Sequence, residues 1–275
     1  MSETAIRETA AEEEARVLGL APVDPPLRRA YGDHPDQVYD LWPAEDPDAP
    51  MVMLLHGGYW RDAYDRTHLS PLAAHLAGAG FTSVLLEYRR AGGAGGYPGT
   101  FDDIALAVDT IPAGRPVVLL GHCSGGHLAL WAGARALLPE DSRWHTAAGP
   151  AGVLALAPVT DLVGAIKDDL STGAAVELLG GRELVAARLP FADPFTIVRG
   201  KGPTGVPTVV LHGAEDAEVP LSQFRDYAAA DPGAELVSLP GTGHYTLIEP
   251  GSPACAVVID LLTRLTAHRP GGSTP

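Results

Sequence analysis

The run Gly121-His122-Cys123-Ser124-Gly125-Gly126 has the G-x-S-x-G spacing of a nucleophile elbow, with Cys123 at the nucleophile position. So tight a turn leaves room only for small neighbours, hence Gly121 and Gly125. The side chain between them is pushed out at a helix N-terminus, where unpaired backbone N–H groups favour the thiolate. Ser124 is out of register with the glycines. It is expected to supply the backbone N–H that follows the nucleophile, half of an oxyanion hole. The alternative reading of Cys123 is a small buried hydrophobe.

A nucleophile needs a base, and the base needs an orienting acid. Downstream, Val209-Val210-Leu211 runs into a loop holding Glu215, Asp216 and Glu218, which ends at Val219-Pro220. Asp216 is the chosen acid because its place just past the strand suits a carboxylate at a sheet edge. Glu215 and Glu218 are expected to be solvated loop charges. The base is His244, in the glycine-rich turn Pro240-Gly241-Thr242-Gly243-His244-Tyr245 after the last strand. Upstream, His56-Gly57-Gly58-Tyr59-Trp60 follows another apolar run and offers the second oxyanion donor, from Gly58 or Tyr59. Each such donor is worth about 3 kcal/mol of transition-state stabilisation. His56 is expected to orient this loop, His127 to pack on a helix and His212 to be structural. Trp60 and Tyr88 are the expected substrate-binding aromatics, with packing in the core as the equal alternative for Trp60. No histidine or cysteine spacing fits a metal site.

These residues need a scaffold that brings loops together at one edge. Strand-like runs fall at 37–42, 51–56, 82–87, 116–121, 152–157, 208–212 and 235–239. Helical patterns fall at 70–79, 101–111, 126–138, 221–230 and 253–267. That alternation predicts an α/β fold with a mostly parallel central sheet and helices on both faces. A charged helix from Glu3 to Leu18 and a proline-rich stretch make up an N-terminal segment, 1–26. One domain spans 27–268, with 161–199 expected as a small lid, and 269–275 reads as a disordered tail. The 275 residues carry a formal net charge of −15, which argues against nucleic acid and anionic membranes as partners. Two cysteines without framework spacing, an acidic start and no long apolar run point to a cytoplasmic protein.

With H-G-G-Y-W, the elbow and G-H-Y-T-L-I-E-P in hand, the chain resembles the α/β-hydrolase superfamily from about Val38 to Leu265. Within it, the resemblance is greatest to the kynurenine formamidase (arylformamidase)-like branch. His56 to Trp60 match that family's oxyanion loop, Gly121, His122, Gly125, Gly126, His127 and Leu128 its elbow, and Asp216 and His244 its acid and base. Two residues depart: Cys123 replaces the family serine and Ser124 its usual alanine. The resemblance implies hydrolysis of an ester, thioester or formamide bond of a small-molecule acyl substrate, through an acyl-Cys intermediate. No metal or organic cofactor is implied, and a homodimer is among the assemblies left open. The competing expectations are an acyltransferase using the same thioacyl enzyme, a catalytically inactive binding protein, and Ser124 as nucleophile after a local shift.

Overall fold

The computed structural model of the chain describes residues 8–112 and 115–267. Helix α1 (Ala10–Leu18) is followed by β1 (Leu27–Ala30), β2 (Val38–Trp42), β3 (Met51–Leu55), α2 (Ser70–Gly78), β4 (Thr82–Leu86), α3 (Gly99–Thr110) and β5 (Val117–His122). Helix α4 (Ser124–Gly133), β6 (Gly152–Leu156), α5 (Leu162–Lys167), α6 (Ala174–Leu178), α7 (Val185–Ala192) and α8 (Pro194–Lys201) come next. The chain then runs through β7 (Thr208–Gly213), α9 (Leu221–Ala230), β8 (Ala234–Leu239) and α10 (Pro253–Ala267).

The eight strands form one sheet in the order β1-β2-β4-β3-β5-β6-β7-β8. Both pairings of β2 are antiparallel, and β4 through β8 run parallel. Parallel strands need both faces covered, so β3 to β7 are buried at every residue. Side chains alternate between two apolar layers. Met51, Met53 and Leu55 pack on the α3–α4 face, whereas Val52 and Leu54 face α2 and α10. The parallel core therefore aligns the carboxyl ends of β3, β5, β7 and β8 on one edge.

The long elements agree with the sequence reading, and helices 221–230 and 253–267 match it residue for residue. The helix expected over 126–138 ends at Gly133 and continues only as a single 3₁₀ turn, Arg135–Leu137. Strand β1 was not expected, because all four of its residues are exposed and show no apolar pattern. Its antiparallel register against β2 and the ion pair Arg28 Nε–Asp40 Oδ1, 2.6 Å, hold it at the edge. Helix α1 begins behind a Thr9–Glu12 capping box. Of the helix expected from Glu3, Glu8 and Thr9 precede α1 and are not helical, while 3–7, and the tail expected at 269–275, lie outside the described residues.

Candidate active site

Cys123 sits between the end of β5 and the first turn of α4, with φ 55° and ψ −122°. A side-chain-bearing residue rarely takes that conformation, and here the packing enforces it. A Cβ on Gly121 would lie 2.1 Å from Gly125 O, and one on Gly125 would lie 2.1 Å from Leu55 O. The Cys123 N–H donates to Leu156 O at 2.9 Å, tying the elbow to β6. All ten residues of α4 are buried, so its N-terminus is a fixed platform beneath the sulfur.

The oxyanion loop after β3 approaches from the side. Gly57 passes so close that a Cβ there would meet Cys123 Cβ at 3.0 Å. Gly58 has φ 109°, and Tyr59 and Trp60 follow at 55° and 58°. The N–H groups of Gly58, Tyr59 and Ser124 have no protein acceptor among the described residues. The Trp60 N–H is aimed at Ser124 Oγ, 3.4 Å away, so the Ser124 hydroxyl faces this loop. The ring nitrogens of His56 stand 2.7 Å from Gly57 O and 2.9 Å from Glu87 Oε1. Burial, helped by the Arg90 charge, pushes His56 down to about 3. It is neutral and supports the loop.

Asp216 and His244 meet at 2.7 Å, Oδ2 to Nδ1. Asp216 Oδ1 accepts the N–H groups of Glu218 and Val219 at 2.8 and 2.9 Å. Burial works against the charge of Asp216, but the hydrogen bond and charge of His244, with the Val219 N–H and His212, together outweigh it and keep the carboxyl below its usual value. With Nδ1 committed to Asp216, the other nitrogen of His244 is left for Cys123. Burial would lower this imidazole. The thiolate charge and hydrogen bonding of Cys123, together with Asp216, push it up to about 10 instead. The arrangement favours a protonated imidazole beside Cys123, held by a carboxylate. Such a set can attack an acyl carbon, accept the negative charge on the N–H groups of Ser124 and of Gly58 or Tyr59, and return a proton to a leaving group.

Several supporting residues carry no sequence signal of their own. His122 Nε2 donates to His244 O at 3.1 Å, and the two rings pack 4.7 Å apart. Burial holds His122 well below its usual value, so the ring stays neutral. The buried Glu87 carboxylate gathers His56, Arg66 and Arg90 behind the oxyanion loop. Tyr59 Oη donates to Glu218 Oε2 at 2.5 Å and joins the oxyanion loop to the acid loop. Glu218 is thus a structural partner rather than a solvated charge. His212 is buried, with Nε2 3.1 Å from Val219 O and 3.2 Å from Asp216 Oδ2.

A cavity of about 640 Å³ opens over Cys123 and is lined by Gly58, Tyr59, His122, His244 and Tyr245, among others. Trp60 and Tyr88 do not line it: Trp60 takes its core-packing alternative, and the expectation for Tyr88 is corrected. Trp60 is turned into the core, where its Nε1–H donates to His127 Nδ1 at 3.2 Å. Tyr88 is fully buried, stacks on His56 and donates to His56 O at 2.7 Å. The segment 161–199 is also displaced from its expected role. Its helices α5 to α7 and most of α8 pack into the apolar layer on the α3–α4 face, and none of its residues lines this cavity. The wall comes instead from Glu14 and Leu18 of α1 and from Leu20 and Pro22 just after it. No helix among the described residues is long and apolar enough to cross a membrane. No cluster of His, Cys, Asp or Glu there could hold a metal ion.

Known proteins bear on this geometry. The family model described as BD-FAE matches residues 39–230, most of the chain. The esterase LipC of Mycobacterium tuberculosis is 25% identical over 240 residues, covering 79% of this chain and 59% of that protein. The chain therefore spans well under two thirds of this relative. Among solved structures, esterase B from Lactobacillus rhamnosis (HN001) superposes with a TM-score of 0.70 at 18% identity, covering 94% of this chain and 90% of that one. A putative thioesterase from Silicibacter sp. TM1040 gives 0.69 at 23% identity, covering 95% and 97%. At these identities the two structures establish the α/β-hydrolase fold and nothing finer. The chain belongs to the BD-FAE family, on an α/β-hydrolase scaffold.

Proposed function

We propose that the protein is an acyl hydrolase that cleaves an ester, thioester or formamide-type bond through a thioacyl intermediate on Cys123. One observation carries the reading. A strained elbow cysteine lines the same cavity as a histidine whose Nδ1 lies 2.7 Å from a buried aspartate. In this reading the Cys123 thiolate adds to the substrate carbonyl. The oxyanion rests on the N–H groups of Ser124 and of Gly58 or Tyr59. The His244 imidazolium protonates the leaving group, then takes a proton from water as that water attacks the thioester. Asp216 fixes the tautomer throughout. The esterase names of the relatives support the ester arm. The formamide arm rests on the resemblance of the H-G-G-Y-W and histidine-loop motifs to the formamidase branch.

The orientation of Ser124 supports cysteine over serine as nucleophile, since its hydroxyl faces Trp60 and not His244. The test is hydrolysis of N-formylkynurenine and of a p-nitrophenyl ester by the wild type and by Cys123→Ala. Turnover of either substrate, lost in the variant, is the expected result. Full activity in Cys123→Ala, or none in the wild type on any acyl substrate, would overturn the reading.

A further inference from the structure

One wall of the catalytic cavity is not supplied by the α/β core. Glu14, Leu18, Leu20 and Pro22 face the same space as Cys123 and His244. All four lie outside the stretch matched by the family model, 39–230. What holds α1 in place is specific. Val17 is buried in the apolar layer shared with α2 and α10. Arg16 pairs with Glu249. Most telling is Glu13, a carboxylate only 7% exposed, whose Oε1 accepts both the N–H and the hydroxyl of Thr246 at 2.6 Å. Thr246 is two residues past His244, on the loop that carries the base. Gly243, one residue before His244, leaves the space that Glu13 occupies: a Cβ there would fall 1.9 Å from Glu13 Oε2. Tyr245 completes the attachment by donating to Glu14 Oε1 at 3.3 Å.

We propose that α1 is the specificity wall of the catalytic cavity and that Glu13 is a positioning residue, holding His244 in register through Thr246. The positioning half rests on the acyl-transfer reading given above. The two halves are linked by geometry, because the carboxylate that seats the wall also stiffens the histidine loop. Leu18, Leu20 and Pro22 give the wall an apolar surface, which suits an uncharged hydrocarbon group on the substrate.

Two measurements on the full chain decide the matter. In the first, Cys123 is alkylated by iodoacetamide and by fluorescein-5-maleimide, with the labelled peptide identified by mass. Leu18→Ala should raise the maleimide-to-iodoacetamide rate ratio by about tenfold, the scale on which a missing contact in an apolar pocket discriminates. An unchanged ratio would overturn the wall. In the second, Glu13→Ala should lower kcat on p-nitrophenyl acetate by about 10- to 100-fold with a smaller change in KM, as expected for a misplaced base. Glu13→Gln keeps an acceptor oxygen for Thr246 and should restore most of kcat. Wild-type kcat in Glu13→Ala, or a Glu13→Gln variant as impaired as the alanine one, would overturn the positioning role. If the wild type cleaves no acyl substrate, the acyl-transfer reading falls. The alkylation ratio, and the pH midpoint of Cys123 alkylation in Glu13→Ala against Glu13→Gln, then still decide both halves.

Discussion

Replacing Asp216 with asparagine removes one charge and leaves the side chain's shape. Two backbone N–H groups, from Glu218 and Val219, already point at Oδ1, so the amide oxygen must take that place. The NH₂ group then falls where Oδ2 stood, 2.7 Å from His244 Nδ1. Two donors cannot share that distance, so the imidazole must present a bare Nδ1 and carry its proton on Nε2. In that tautomer His244 cannot take a proton from Cys123. The expected fall in kcat is about 10³- to 10⁴-fold, the scale known for the same change in a serine–histidine–aspartate triad. The side chain is 1% exposed, so the mismatched hydrogen bonds should cost about 1–3 kcal/mol of stability. Losing the Asp216 charge also lowers the His244 pKa. The assays are steady-state hydrolysis of p-nitrophenyl acetate and the pH dependence of Cys123 alkylation. An asparagine variant keeping more than about a tenth of wild-type kcat would refute the assignment of Asp216 as orienting acid.

Other outcomes follow from the same geometry. Gly125→Ala drives a methyl group to 2.1 Å from Leu55 O, and thermal unfolding should show a loss of about 3 kcal/mol or more. Tyr59→Phe removes the 2.5 Å hydrogen bond to Glu218, so stability should fall by about 1 kcal/mol and kcat with it. The imidazole of His244 is raised from 6.5 to about 10. Its stabilising contribution is therefore complete below about pH 6.5 and is lost as the pH rises through about 10. Urea unfolding should show a steeper alkaline loss of stability in the wild type than in Cys123→Ala, which lacks the charge that does most to raise the imidazole.

The elbow was legible because its glycines are obligatory: backbone atoms occupy the space their side chains would need, and the motif reports that directly. The order of acid and base loops after β7 and β8 was legible for a related reason, since a parallel sheet puts its carboxyl ends on one edge. Side-chain direction was not legible. Trp60 follows two other residues with positive φ, and that backbone path swings its ring into the core, where spacing alone left the substrate pocket equally open. Tyr88 is likewise drawn inward by the buried Glu87 and His56. The role of α1 was hidden because Glu13 reads as one more surface charge until Thr246, more than two hundred residues later, is folded against it. The stretch 161–199 looked like a lid by length alone, and length does not say which way a helical insertion leans.

The central claim is that Cys123 carries the acyl group. Rapid quench of the protein with p-nitrophenyl butyrate, followed by peptide mass analysis, tests it most directly. The expected product is a butyryl thioester on the peptide containing Cys123, sensitive to hydroxylamine and absent in Cys123→Ala. A butyryl ester on Ser124, or turnover at the wild-type rate with Cys123 alkylated, would contradict it.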